Sequence, residues 1–221
     1  IGAGKSGLAA AQLLLSGKAV PVLFDENEKT DPEAVRAKLP ADADVEILAG
    51  ELPEERLGEF SLSVFSPGVP VDTPFADRLR AQGIPVWGEV ELGYAFLKGR
   101  LIAVTGTNGK TTTTALTGQI MRDYYDSVFV VGNIGDPITA EALKTREDSV
   151  TVAEISSFQL ETAVDFHPQV SAVLNITPDH LNRHHTMENY AAVKESITKN
   201  QTKEDTCVLN YSDPYTRAMG E

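Results

Sequence analysis

The sequence predicts an α/β protein built of two parallel-sheet units, and three observations carry that expectation. Two glycine-rich turns, at 2–7 and 106–111, each open a stretch of helical periodicity. Short β-prone runs alternate with helical stretches along the chain, the pattern of parallel strands joined by helical crossovers. A length of 221 residues holds two domains of ordinary size.

Taken in order, Leu8, Ala11, Leu14 and Leu15 recur at helical spacing and Gly17 offers a terminal cap, so a helix is expected over 6–16. A strand follows at 19–24. Further strands are expected at 45–48 and 62–65, and Thr73-Pro74 opens a helix by setting a capping residue before a proline. Ile1 runs straight into Gly2-Ala3-Gly4, a turn that normally follows a whole strand, so the natural N-terminus is expected to lie upstream. Residues 1–92 are therefore expected to form a Rossmann-like parallel-sheet domain. The second unit, 93–221, opens with an apolar strand at 101–105 that runs through the second glycine turn into a helix, as in P-loop-type α/β domains. It continues with strands at 128–131, 150–153 and 170–174 and with helices near Ile138 and over 190–197, and it is expected to be cut short at Glu221. The units are expected to join near 88–99. Phe24 and Trp87 are read as core residues.

Hydrophobic residues make up 42% and charged residues 23%, the balance of a folded globular chain rather than a disordered one. A formal net charge of −13 argues against polyanionic partners, so neither nucleic acid nor an anionic membrane surface is expected. Any phosphate must be captured locally. Cys207 is the only cysteine, which excludes an intrachain disulfide and fits a reducing compartment. No run of about 18 apolar residues is present to span a bilayer. A cytoplasmic protein is expected.

Gly106-Thr107-Asn108-Gly109-Lys110-Thr111 is the strongest chemical signal, because glycines let backbone N–H groups approach phosphate oxygens at a helix N-terminus. Lys110 would sit on the β and γ phosphates, and Thr111 would offer its hydroxyl to Mg²⁺. The loop departs from the usual spacing, since Val104 stands where the first glycine belongs. The plain alternative is an ordinary glycine turn with a solvated lysine. Gly2-Ala3-Gly4-Lys5-Ser6-Gly7 matches the dinucleotide fingerprint, with Asp25 ending the next strand where a ribose-binding acid belongs. Its plain alternative is a tight turn with close helix packing, and the ligand could be a dinucleotide or another nucleotide. Two such turns suggest two phosphorylated ligands. Glu154, Ser156-Ser157-Phe158-Gln159 and Asp179-His180 follow strands of the second unit, on the same sheet edge as the phosphate loop, and Glu154 suits Mg²⁺. His184 and His185 are read as loop residues, because neighbours in sequence do not face one metal site.

Residues 105–112, Thr-Gly-Thr-Asn-Gly-Lys-Thr-Thr, resemble the ATP loop of the Mur ligases, including its short glycine spacing. These enzymes add amino acids one at a time to the peptide of the bacterial cell-wall precursor. Asn175-Ile176-Thr177-Pro178-Asp179-His180-Leu181 resembles the family's second signature, and residues 190–194 its lysine-bearing helix. Within the family, residues 154–161, Gly132-Asn133-Ile134-Gly135 and Ser66-Pro67-Gly68-Val69 resemble the D-glutamate-adding member.

The resemblance implies ATP-dependent ligation of D-glutamate to UDP-N-acetylmuramoyl-L-alanine through an acyl phosphate, in peptidoglycan precursor synthesis. It implies a UDP-substrate set of Lys5 and Ser6 near the phosphates, Asp25 near the uracil, and Ser66, Gly68, Asn133, Ser156 and Gln159. It implies ATP held by Gly106, Thr107, Asn108, Gly109, Lys110, Thr111 and Thr112, and catalysis by Lys110, Glu154, His180 and Lys194. Mg²⁺ would be held by Thr111, Glu154, His180 and Lys194, the last as a carbamate. Without the resemblance, Lys194 would be read as a solvated surface lysine. The family's amino-acid-binding third domain is expected to lie outside this chain, which alone is expected to be an inactive monomer. The rivals are a folylpolyglutamate synthase, a nicotinamide-dependent oxidoreductase using the first turn, and a non-catalytic nucleotide sensor.

Overall fold

The computed structural model describes all 221 residues. Helix α1 (Lys5–Ser16) starts on the first glycine turn and buries Ala10, Ala11 and Leu13. The turn is this tight because residue 7 lacks a side chain: a Cβ on Gly7 would collide with the Gly2 carbonyl oxygen. Strand β1 (Val22–Asp25) pairs in parallel with β2 (Glu46–Ala49) across α2 (Pro32–Arg36), which Asp31 caps. Strand β3 (Ser63–Phe65) pairs in parallel with β4 (Val86–Gly88) across α3 (Pro74–Ala81), where Thr73 Oγ1 accepts the Ala76 N–H as its sequence predicts.

The first unit thus holds two short parallel pairs. Residues 1 and 2 stitch them together. The Ile1 amine donates to the Val64 carbonyl, the Gly2 N–H to the Phe24 carbonyl, and the Ser66 N–H to the Ile1 carbonyl. Beside this stitch lies an apolar groove of about 370 Å³, lined by residues including Ala10, Leu14, Val22, Phe24 and Val64.

The expected junction at 88–99 is a packed helix. Helix α4 (Glu89–Phe96) begins on the residue after β4 and buries Glu89, Val90, Glu91, Leu92 and Gly93. Its two buried carboxylates find their hydrogen-bond partners in the second unit, although Glu89 Oε2 is left without one. Glu91 accepts the N–H groups of Val164, Asp165 and Phe166, and Glu89 Oε1 accepts the Thr139 N–H and hydroxyl.

The second unit is one five-stranded parallel sheet in the order β6-β7-β5-β8-β9, with β5 (Arg100–Thr105), β6 (Val128–Gly132), β7 (Val150–Glu154), β8 (Val170–Val173) and β9 (Thr206–Leu209). Its helices are α5 (Lys110–Arg122), α6 (Ile138–Glu141), α7 (Ser157–Leu160), α8 (Leu181–His184), α9 (Met187–Glu195) and α10 (Pro214–Ala218). Leu101, Ala103, Ala153, Ile155, Val173 and Ile197 centre the core, and every residue of β7 is buried, as a strand covered on both faces requires. Because β5 lies between β7 and β8, the segments that leave Thr105, Glu154 and Val173 emerge side by side at the carboxyl edge of the sheet. No helix is long and apolar enough to cross a membrane.

Candidate functional site

Gly106 and Gly109 take φ values of +144° and +83°, which let the chain leave β5 and enter α5 within four residues. Helix α5 has no side-chain cap and no acid in its first turn, so its leading N–H groups and the positive end of its dipole are left for an anion. The loop is held by the segment after β8. Asn175 grips Asn108 twice, accepting its N–H at 2.8 Å and donating to its carbonyl at 2.9 Å. Thr107 donates its N–H to the Asn175 carbonyl at 2.9 Å and accepts the Thr177 N–H at 3.0 Å. Lys110 Nζ folds back to donate to the Thr107 carbonyl at 2.9 Å. Thr111 and Thr112 are exposed on the first turn of α5. The structure therefore joins two motifs whose contacting residues lie 67 and 70 positions apart in the sequence.

Lys194 enters from the other side. Helix α9 starts on Thr186, whose hydroxyl caps the Asn189 N–H, and carries Lys194 inward until it is 1% exposed. Its Nζ lies 4.7 Å over the Tyr190 ring and donates to the Gly106 carbonyl at 2.9 Å. Burial, followed by the charge of Lys110, pushes its pKa down from 10.5 to about 7, with Asp179 opposing.

Glu154 ends β7 opposite Val104 and Gly132, 1% exposed. Asn133 donates its N–H to the Glu154 carbonyl at 2.9 Å and its side-chain amide to Oε1 at 2.7 Å. Glu154 Oε2 is buried without any hydrogen-bond partner. An unpaired carboxylate oxygen is costly in a protein interior, and a hard cation would satisfy it. No three His, Cys, Asp or Glu side chains converge, so such a cation would have to complete its shell with hydroxyl, phosphate or modified-lysine oxygens. The residues present fit Mg²⁺ on those terms.

His180 is exposed and precedes α8 with φ +50°, its ring 4.8 Å from that of Phe158. His184 corrects the expectation of a loop residue. It closes α8, 4% exposed, its ring lying 5.6 Å from Phe158 and 5.1 Å from Tyr190, and its Nε2 pairs with Ser157 Oγ at 2.9 Å. His185 is exposed beyond it. The two point apart, and the signal that separates them is the aromatic pair spaced along α7 and α9.

The residues assigned to the UDP substrate are spread over both units. Asp25 uses one oxygen on the first glycine turn and one on its own, accepting the Ala3 N–H at 2.8 Å and the Asn27 N–H at 3.0 Å. Ser6 lies in the first turn of α1, which no side chain caps. Lys5 crosses to the second unit, donating to the Gly135 carbonyl at 2.7 Å and pairing with Asp136 at 3.0 Å. Ser66 Oγ lies 3.4 Å from the Gly2 carbonyl, and Gly68 is exposed nearby. Ser156 and Gln159 cap α7 reciprocally.

Residues 1–88 match the Mur ligase MurD-like N-terminal domain, and residues 104–221 the Mur ligase middle domain. The chain is 57% identical over 219 residues to the UDP-N-acetylmuramoylalanine--D-glutamate ligase of Lachnoclostridium phytofermentans, covering 99% of this chain and 48% of that one. It is 59% identical over 215 residues to the ligase of the same name from Lachnospira eligens, covering 97% and 48%. The chain thus spans about half the length of the curated relatives it matches. The UDP-N-acetylmuramate:L-alanyl-gamma-D-glutamyl-meso-diaminopimelate ligase from Neisseria meningitides shares the fold, with a TM-score of 0.61 and 15% identity over 99% of this chain and 72% of that one. A middle-domain match that alone covers more than half of the residues settles descent: the chain belongs to the Mur ligase family.

Proposed function

We propose that this chain is the nucleotide-handling half of an enzyme that joins D-glutamate to UDP-N-acetylmuramoyl-L-alanine with ATP. The observation that carries the reading is the convergence of the uncapped α5 N-terminus, Glu154 and the buried Lys194 around the loop at 106–109. A carboxylate is a poor electrophile until one oxygen becomes a leaving group. Transfer of the ATP γ-phosphoryl to the substrate carboxylate makes an acyl phosphate, the D-glutamate amine adds to its carbonyl carbon, and orthophosphate departs as the amide forms.

In this reading the loop N–H groups and Lys110 bind the β and γ phosphates, Lys110 exchanging the Thr107 carbonyl for phosphate oxygens. Thr111, Glu154, His180 and Lys194 as its carbamate would hold Mg²⁺. When bound, Mg²⁺ supplies charge neutralisation at the transferring phosphoryl. Carbamylation needs a neutral amine, which the lowered pKa of Lys194 supplies. The first unit takes the UDP moiety at α1, where Lys5 and Ser6 stand at a helix N-terminus without acids. The amino-acid-binding part belongs to the remaining half found in relatives, and the working protein is a cytoplasmic monomer.

Calorimetry of the 221-residue chain tests the reading. Separate saturable responses to UDP and to Mg²⁺-ATP are expected. Binding of NAD with no response to UDP would make the first unit a dinucleotide domain and sink the assignment.

A further inference from the structure

We propose that Glu161 is a positioning residue: by clasping Arg183 and His184 it holds His180 in a left-handed backbone conformation and so sets that side chain against the Phe158 ring. What His180 then does rests on the proposed function. The clasp itself does not.

Helix α8 is four residues long and is flanked at both ends by non-glycine residues with positive φ, His180 at +50° and His185 at +66°. Such conformations are unfavourable for residues with a Cβ and persist only where the surroundings over-determine them. A single helical turn cannot supply that hold, because its own hydrogen bonds do not cover the cost of nucleation. The hold must come from side chains that anchor the turn elsewhere.

Two of its four residues are so anchored, and both reach the same carboxylate. Arg183 Nε lies 3.2 and 3.1 Å from the two oxygens of Glu161, and its Nη2 donates to Oε2 as well. Both side chains are 14% exposed, so water competes little. The guanidinium also covers the Phe158 ring at 4.6 Å. His184 turns Nδ1 to Glu161 Oε1 at 3.5 Å while its Nε2 meets Ser157. Ser157, Phe158 and Glu161 all belong to α7 or its C-terminal cap, which follows directly from the β7 end that carries Glu154. The carboxylate therefore ties His180 to the strand that holds Glu154. The competing local account is Asp179, whose Oδ1 accepts the His180 N–H at 2.9 Å.

Nuclear magnetic resonance of the 221-residue chain separates the two accounts. The Cα and Cβ shifts and the HN–Hα coupling of His180 report its left-handed state directly. In Glu161→Ala we expect that signature to disappear at His180 while the resonances of the five-stranded sheet stay in place. In Glu161→Gln, which keeps the size and one acceptor, we expect partial retention. A left-handed His180 in Glu161→Ala overturns the proposal in favour of Asp179, and loss of the sheet signals in both variants overturns it in favour of a general structural role. In a protein of full family length, Glu161→Gln should raise the Mg²⁺ concentration for half-maximal ligation about tenfold, the size of effect seen when a ligand's supporting partner is removed. The KM for the UDP substrate should stay within about twofold, since Ser156 and Gln159 of that set are held by each other rather than by Glu161. A lost left-handed signature with an unchanged Mg²⁺ requirement would leave the clasp standing and remove His180 from the metal set of the proposed function.

Discussion

Lys194 and Gly106, 88 residues apart, meet through a 2.9 Å hydrogen bond from Nζ to the carbonyl at the start of the glycine loop between β5 and α5. The ammonium that makes this bond is buried and faces a second lysine, Lys110. Its pKa falls to about 7, whereas the unfolded chain keeps the ordinary 10.5. Between those values the unfolded state binds a proton that the folded state does not, so stability rises with pH through that window. In CO₂-free buffer, the stability of the chain relative to Lys194→Met should climb from pH ~7 to pH ~9 by at most about 1.4 kcal/mol per pH unit. A flat difference would mean that the lysine is solvated.

Replacing the same lysine in a protein of full family length tests its chemistry rather than its charge. Lys194→Ala should remove most ligation, and short-chain carboxylates should restore part of it by placing an oxygen where the carbamate would stand. Activity equal to the parent, with and without CO₂, would return Lys194 to a packing role.

Glu154→Gln keeps the acceptor for Asn133 and replaces the unpartnered oxygen by an amide. The bond from Asn133 is kept and the unpartnered oxygen is replaced by a neutral amide, so stability should change by no more than about 1 kcal/mol. The Mg²⁺ dependence of ATP binding, followed by calorimetry, should nevertheless fall away. Unchanged dependence would take Glu154 out of the metal set.

Gly7→Ala should destabilise the chain by roughly 1–3 kcal/mol, because the added methyl meets the Gly2 carbonyl and the turn has no slack. Denaturant unfolding gives the figure directly. UDP affinity should drop with it, since the N-terminus of α1 would be displaced.

What was legible in the sequence follows from how local each cause is. The glycine turns announce themselves because only glycine accepts φ +91° at Gly2 or +83° at Gly109. The Thr73 cap is equally local. Helix α4 was hidden, because Glu89 and Glu91 read as surface residues until partners 50 and 73 to 75 residues away are known. His184 was hidden for the same reason, its aromatic neighbours coming from other helices. Strand β9 leaves little trace in the sequence, because it is an edge strand with three of its four residues exposed. Lys194 carries no local sign of burial, and only the family resemblance singled it out.

Helix α4 also governs how the molecule comes apart. Its glutamates find hydrogen-bond donors only in the second unit, at Thr139 and at the backbone of 164–166, while β4 of the first unit runs into it without a spacer. Neither half can melt without stranding two carboxylates in an apolar layer. The chain should therefore lose structure as one cooperative block, with a single transition, and a protease should find no early cut at the boundary where a linker would have offered one.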